Sequence, residues 1–219
     1  MTERGVLLWV HGGGWRGRHH EDGAALAPLG LRVVAATYRF SHQAHWPAQL
    51  DDVRAAARAA REAAGGLPLL VGGHSAGAML ALQVGLRGVD RPGDVAGVLA
   101  YAAPVDPLDP QQRRHRAPGD DPWTDLLGHP PAAGDPATAD AAVATHLGSG
   151  VPVLLVQGRD DVPVPAAQPI DLAGRLIATG HPTHLWLTHG GHLLDLARPD
   201  LRAVAAAFLD TVLPAPHGD

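Results

Sequence analysis

The sequence contains no cysteine. Disulfide bonds, thiolate metal ligands and a cysteine nucleophile are therefore excluded, and cysteine usage gives no indication of the redox compartment. Lysine is absent as well, so the 17 residues counted as Lys or Arg are all arginines. With abundant Ala, Gly and Pro, this indicates coding bias from a GC-rich genome and carries no chemical meaning.

Long apolar runs are also missing. The run from Val6 to Val10 is too short for the core of a signal peptide. No later segment supplies the roughly 20 apolar residues that a membrane-spanning helix needs. These absences predict a soluble, cytoplasmic protein without a membrane span.

Aromatic residues make up only 4% of the chain, and the net charge is -5 with no basic stripe. Nucleic acid is therefore an unexpected partner, and a small molecule is the expected one. A chain of 219 residues, 46% of them hydrophobic, predicts one domain over residues 1–219 with a sizeable core. A homodimer is left open.

Short β-branched and leucine-rich runs alternate with alanine-rich stretches along the chain. This alternation predicts an α/β fold with a mainly parallel sheet of about six strands and helices on both faces. The expected strands are 6–10, 33–37, 67–71, 95–101, 151–157 and 184–188. The expected helices are 46–64, 76–86, 166–178 and 200–213.

Between the fourth and fifth expected strands, residues 103–150 are rich in Pro, Asp, Gly and Arg. Only short helices are expected there, at 123–127 and 136–147. An excursion of this length inside a compact domain is usually functional or disordered. We expect a small cap over the carboxyl ends of the strands, with a surface insertion that has no role in binding as the alternative.

The segment Gly73-His74-Ser75-Ala76-Gly77 directly follows the third strand and precedes a helical run. A serine hydroxyl projects freely from a tight turn between a strand and a helix, and flanking glycines allow neighbouring backbone to approach that turn. Ser75 is therefore the candidate nucleophile.

The first strand ends in His11-Gly12-Gly13-Gly14-Trp15. Consecutive glycines can turn their N–H groups into a cavity, as an oxyanion hole requires. The N–H groups of Gly13, Gly14 and Ala76 are the candidate donors, and a structural glycine-rich turn is the alternative.

An acid and then a histidine should follow the serine along the chain. Asp160 and Asp161 come after the fifth strand, and His189 and His192 after the sixth. Both loops leave the carboxyl ends of strands, where ligands bind in open α/β sheets. Spacing alone does not decide within either pair. Asp106, after the fourth strand, is a further alternative for the acid.

Together these segments resemble the α/β-hydrolase superfamily of serine esterases, in its hormone-sensitive-lipase-like, feruloyl-esterase-like and kynurenine-formamidase-like branches. Tyr38-Arg39 and the stretch from Trp46 to Val53 add to the similarity. In these families the acid lies three residues after the glycine of a His-Gly-x-x-Asp-x-x-Val-Pro segment. That register selects Asp161, although Gln157 stands where relatives have histidine. Their Gly-x-His pattern selects His192.

Relatives usually carry about two more strands before this glycine loop. The resemblance therefore predicts an α/β-hydrolase fold with an N-terminally trimmed sheet. It also implies hydrolysis of small acyl esters by a Ser75, Asp161, His192 triad through an acyl-enzyme, without a cofactor. An arylformamidase using the same triad is one alternative, and a non-catalytic ligand receptor on this scaffold is another.

Three residues are candidates for substrate binding. Trp15 stands beside the expected oxyanion hole, His74 beside the nucleophile and Trp123 in the excursion. For both tryptophans a place in the core is the alternative. The histidine groups His19-His20 and His42-x-x-His45 lack a carboxylate at a convincing ligand spacing, so we predict no metal site.

Overall fold

Six strands form one sheet in the computed structural model, which describes residues 3–19, 23–114, 117 and 119–214. All neighbouring strands pair in parallel, in the order β2-β1-β3-β4-β5-β6. The strands are β1 Gly5–Val10, β2 Leu31–Ala36, β3 Leu69–His74, β4 Gly97–Tyr101, β5 Val153–Gly158 and β6 Thr183–Thr188. The predicted parallel α/β sheet is confirmed.

Helices connect the strands, as parallel pairing requires. They are α1 Ala48–Glu62, α2 Ala76–Arg87, α3 Pro110–Arg113, α4 Pro122–Leu127, α5 Pro136–Ala141, α6 Ala167–Ala178 and α7 Pro199–Val212. Two 3-10 segments, Gly23–Leu29 and Val143–His146, complete the described helical structure. The four long helices lie within two residues of their predicted bounds, whereas α3 was not predicted.

The core lies on both faces of the sheet because successive residues of a strand point to opposite sides. In β1, Leu8 and Val10 belong to the core on the face covered by α1, α2 and α6, while Leu7 and Trp9 belong to the core on the face covered by α7 and the first 3-10 segment. Every residue of β1, β3, β4 and β5 is buried. The loops that follow these strands therefore start from a rigid base.

Strand β3 extends further than expected, through Gly72, Gly73 and His74. Glycine is unfavourable in strands, but here both neighbouring strands pair with these residues, Gly73 with Val10 and with Ala100. Tertiary pairing outweighs the local propensity. As a result, β3 ends immediately before Ser75.

The segment between β4 and β5 contains α3, α4, α5 and the second 3-10 segment. Each of the three helices begins after an aspartate whose carboxylate accepts a backbone N–H of the first turn, an N-cap arrangement. Within the described ranges, no helix is long and apolar enough to cross a membrane.

Candidate active site

Ser75 occupies a sharp turn between β3 and α2. Its φ of 53° and ψ of -123° lie in a region that non-glycine residues rarely adopt, at a typical cost of about 1–3 kcal/mol. The turn is held by the Ser75 N–H, which donates to the Tyr101 carbonyl at 2.8 Å. The strained turn projects the hydroxyl beyond the end of the sheet.

The glycines on either side of Ser75 are required by close backbone contacts. A Cβ on Gly77 would lie 2.1 Å from the carbonyl oxygen of Val10, and one on Gly73 would lie 2.6 Å from the same oxygen. Both distances are far below van der Waals contact. The turn therefore packs directly against the end of β1, the strand that carries the glycine-rich loop.

A continuous chain of hydrogen bonds joins Ser75, His192 and Asp161. The Ser75 Oγ lies 2.8 Å from His192 Nε2, and His192 Nδ1 lies 2.8 Å from Asp161 Oδ2. Because a carboxylate only accepts, Nδ1 carries the imidazole proton. In the neutral ring Nε2 is then free to accept the hydroxyl proton of Ser75.

Asp161 is the aspartate that the structure brings to this histidine. Its side chain is fully buried, and its Oδ1 accepts the N–H of Val164 at 2.8 Å. The neighbouring Asp160 is exposed, and its N–H donates to the Gly190 carbonyl at 3.0 Å. The two loops after β5 and β6 are thus tied together beside the carboxylate.

The alternative base and acid lie elsewhere. His189 is exposed, and its carbonyl accepts from Arg198 at 3.0 Å. Asp106 is also exposed, and its Oδ1 accepts the N–H of Leu108 at 2.8 Å. Neither residue takes part in the hydrogen-bond chain to Ser75.

The glycine-rich loop faces the same cleft as Ser75. Gly13 and Gly14 have φ values of +118° and +60°, and both line the cleft beside Ser75 and His192. Ala76 is the first residue of α2, so its N–H has no intrahelical acceptor. Gly13 and Gly14 therefore lie in the same cleft as Ser75, and Ala76 directly follows Ser75 at the start of α2.

This loop is fixed from both sides. The His11 ring stacks on Tyr38 with centroids 4.5 Å apart, and the Tyr38 hydroxyl donates to the His11 carbonyl at 3.1 Å. On the other side, Arg16 forms ion pairs with Asp120 and Asp125 of the excursion. The backbone N–H groups of the loop are consequently held in place before any ligand binds.

The cleft has a volume of about 210 Å³. Besides the residues already named, it is lined by Arg16, His19, His74, Pro122 and Leu193. Among these lining residues, Pro122 belongs to the excursion between β4 and β5. Leu193, next to His192, is 68% exposed and forms an apolar side of the opening.

The two tryptophans correct the expectation that they contact the substrate. Trp15 and Trp123 are each only 2% exposed, and their rings lie 4.5 Å apart. The Trp123 indole N–H donates to Gln112 Oε1 at 2.9 Å. The two indoles pack on each other in the core, where Trp15 of the glycine-rich loop meets Trp123 of α4. Neither of them lines the cleft.

His74 lines the cleft, but its ring nitrogen Nε2 is hydrogen-bonded to the protein. Its Nε2 donates to the backbone carbonyl of His192 at 2.8 Å. Contact with substrate stays a prediction for this residue.

The sequence pattern assigned no role to Gln157, and its only signal was that relatives usually have histidine at this position. Gln157 is fully buried, and its Nε2 donates to Asp161 Oδ2 at 2.7 Å.

In the part of the chain that the structure describes, no three or more His, Asp or Glu side chains are arranged to hold an ion. His20 lies outside the described residues.

The sequence profile of the BD-FAE family matches residues 2–176. A versiconal hemiacetal acetate esterase from Aspergillus parasiticus is 36% identical over 104 residues, which is 44% of this chain and 33% of that enzyme. The match thus spans about a third of the length of this curated relative.

Solved structures of esterases share the fold. A truncated carbohydrate esterase from gut microbiota superposes with a TM-score of 0.84 at 20% identity, over 96% of this chain and 86% of that chain. A thermophilic esterase from Thermogutta terrifontis has a TM-score of 0.74 at 20% identity, over 100% of this chain and 85% of that chain. The latter is also solved with propionate or butyrate bound and phosphonylated by sarin. The predicted α/β-hydrolase fold is confirmed.

Proposed function

The chain belongs to the BD-FAE family of the α/β-hydrolase superfamily, and from this premise we propose that it hydrolyses esters of small acyl groups with Ser75 as the nucleophile. One observation carries the proposal. The hydroxyl of Ser75, the imidazole of His192 and the carboxylate of Asp161 form an unbroken chain with two links of 2.8 Å. This is the arrangement that activates a serine for acyl transfer.

In the first step, Ser75 Oγ attacks the ester carbonyl while its proton passes to Nε2 of His192. The imidazolium that forms is stabilised by the carboxylate of Asp161, which also fixes the ring tautomer by accepting from Nδ1. The proton then goes from Nε2 to the departing alkoxide as the C–O bond breaks. The products of this step are a free alcohol and an acyl-enzyme on Ser75.

The negative oxygen of the tetrahedral intermediate needs donors that are already in place. The N–H groups of Gly13, Gly14 and Ala76 serve this purpose in our proposal, with the glycine-rich loop held by the contacts of His11 and Arg16. Removing one such donor typically lowers turnover by about 10²–10³.

In the second step a water molecule replaces the alcohol. His192 takes a proton from the water as its oxygen attacks the acyl carbon, and then returns the proton to Ser75 as the acid leaves. The same three side chains serve both halves of the reaction.

A short acyl group suits the size of the cleft, about 210 Å³. The similarity to an acetate esterase of A. parasiticus and to a T. terrifontis esterase solved with propionate or butyrate bound also supports a short acyl group. The apolar side chain of Leu193 at the opening offers a contact for the alcohol or acyl portion of the substrate. We propose acetyl to butyryl esters as the substrate class.

The test compares p-nitrophenyl acetate, butyrate and octanoate with N-formylkynurenine, using the wild type and Ser75→Ala. We expect preference for the short esters and loss of their hydrolysis in the variant. Wild-type rates in Ser75→Ala would refute the proposed nucleophile, whereas a strong preference for the formamide would indicate an arylformamidase.

Labelling with a fluorophosphonate provides a test that needs no choice of substrate. We expect the wild type to be labelled and Ser75→Ala to remain unlabelled. A folded wild-type protein that takes up no label would instead favour a ligand receptor on this scaffold.

A further inference from the structure

The side chain of Gln157 connects the end of β5 to the loop that carries the acid. It is fully buried, and its Nε2 donates to Asp161 Oδ2 at 2.7 Å and to the Val164 carbonyl at 3.0 Å. Since both partners accept hydrogen bonds, the amide nitrogen and not its oxygen must face them. The amide orientation is thus dictated by Asp161 and Val164.

Gln157 and His192 donate to the same oxygen of Asp161. Oδ2 accepts from His192 Nδ1 at 2.8 Å and from Gln157 Nε2 at 2.7 Å. Oδ1 accepts the N–H of Val164 at 2.8 Å. Three donors surround a carboxylate that has no contact with solvent, and together they fix both its rotation and its distance from the imidazole.

The oxygen of the same amide is less well accommodated than its nitrogen. Among the described residues Gln157 Oε1 has no hydrogen-bond partner, although it is buried. An unpaired buried acceptor is unfavourable for stability. Packing alone therefore does not explain an amide here, whereas donation to Asp161 does.

We propose that Gln157 is a positioning residue for the catalytic acid, a role that rests on the proposed function. Its amide directs Asp161 Oδ2 toward His192 and compensates the burial of the carboxylate. Because an amide neither carries charge nor titrates, the charge opposite the imidazole remains that of Asp161 alone at every working pH.

The near-isosteric substitution Gln157→Glu tests this directly by placing a second carboxyl beside Asp161. Once that group ionises, the extra negative charge favours the protonated imidazole of His192. We expect the acid limb of the kcat/KM profile to move to higher pH by about one unit. The ionisation of the new carboxyl is followed by its 13C resonance, because a carboxyl that stays protonated can still donate to Asp161 Oδ2 as the amide does. Coinciding profiles at a pH where that carboxyl is ionised, or a shift of the limb to lower pH, would overturn the proposal.

The folded fraction of each variant is measured by circular dichroism at every pH, and the rates are divided by it, because stability itself can change with pH. The Gln157→Glu result therefore stands even if the variant is less stable than the wild type. A residue with only a packing role would alter the amount of active enzyme and leave the limb in place.

The second variant, Gln157→Leu, removes the donor without adding charge. We expect kcat to fall about ten- to hundredfold through misorientation of the acid and base, with KM nearly unchanged because Gln157 does not line the cleft. Gln49→Leu is the matched control. Gln49 is also fully buried, but it donates to the Ala44 carbonyl outside the site. Wild-type kcat in folded Gln157→Leu would refute the assignment.

Titration of the His192 imidazole by NMR separates this proposal from the proposed function. The resonance is assigned by its loss in His192→Gln, and no substrate is involved. If Ser75-dependent hydrolysis is absent from the wild type, the proposed function fails. The movement of the titration midpoint to higher pH in Gln157→Glu still tests the contact, and a midpoint that does not move while the new carboxyl is ionised refutes it.

Discussion

The Nε2 atom of His74 lies 2.8 Å from the backbone carbonyl oxygen of His192. The ring before the proposed nucleophile thereby holds the main chain of the proposed base. His74 is only 2% exposed, and the two imidazole rings lie 5.1 Å apart. The loop after β6 is consequently anchored to the end of β3 next to the reacting hydroxyl.

Replacing His74 should impair turnover more than folding. His74→Phe keeps a planar ring but removes the donor, so His192 loses one of its anchors. We expect kcat to fall about ten- to hundredfold, measured on p-nitrophenyl butyrate.

His181→Phe is the control for this experiment. His181 is 3% exposed, and its ring bonds to the Val151 carbonyl at 2.9 Å, away from the cleft. We expect this change to lower the melting temperature while kcat stays near that of the wild type. An undiminished kcat in folded His74→Phe would show that the anchor is unimportant.

Adjacent aspartates give the sharpest test of the acid. Asp161→Asn removes the charge opposite His192 and allows the wrong imidazole tautomer, so kcat should fall about 10³–10⁴-fold. Asp160→Asn changes an exposed side chain one position away and should leave kcat within about twofold. Reversed effects in the two variants would identify Asp160 as the acid.

A methyl group at Gly77 should disrupt the site. In Gly77→Ala the new Cβ would lie 2.1 Å from the Val10 carbonyl oxygen and 2.5 Å from that of His11. Since both neighbours are backbone atoms, the turn or the glycine-rich loop must move. We expect loss of activity together with a free energy of unfolding lowered by about 1–3 kcal/mol.

A methyl group at Gly174 should instead stabilise the protein. It lies on the exposed side of α6, where an added Cβ would point into open space. Gly174→Ala should therefore raise the free energy of unfolding by about 0.5–1 kcal/mol, because alanine favours helix. Its activity should match the wild type. Chemical denaturation of both variants tests the pair.

The buried imidazole of His11 predicts a pH dependence of stability. Burial lowers the pKa of His11 from its ordinary value of 6.5, against an opposing hydrogen bond to the Gly12 carbonyl. As pH falls below about 6.5, His11 binds a proton in the unfolded chain but not yet in the folded protein, and this favours unfolding. The contribution of this group is complete above that pH and is lost as pH falls through the folded pKa.

Urea unfolding at about pH 5 and pH 8 measures the effect. The wild type should lose more stability on acidification than His11→Gln does. His189→Gln, which changes an exposed imidazole, should retain the wild-type difference. If the wild type and His11→Gln lose the same free energy of unfolding between about pH 8 and pH 5, the assignment of this pH dependence to His11 is refuted.

Much of the fold and part of the site could be predicted from sequence because their signals are local. The alternation of apolar runs and helical stretches predicted the parallel sheet, and the position of Ser75 between a strand and a helix marked it as a candidate. Choosing Asp161 and His192 required the register of related sequences. Their immediate neighbours have the same chemistry, and only the three-dimensional path of the two loops separates them.

Other contacts depend on packing between distant segments. The place of Trp15 beside the expected oxyanion hole predicted contact with substrate, with a place in the core as the alternative, and Trp15 is covered by Trp123 from more than a hundred residues away. The partner of Gln157 could not be inferred either, because the contact depends on how the chain turns between Gly158 and Val164. Spacing describes the order of such residues and not the direction of their side chains.

The position of β4 has a consequence for how the protein can diversify. The loops that carry Ser75, Asp161, His192 and the glycine donors follow β3, β5, β6 and β1. The excursion follows β4, which lies between β3 and β5. Insertions and deletions there can remodel the rim of the cleft while the reacting groups keep their positions. Change after β4 is thus separated from the reacting groups, except at Asp120 and Asp125, whose ion pairs with Arg16 hold the glycine-rich loop.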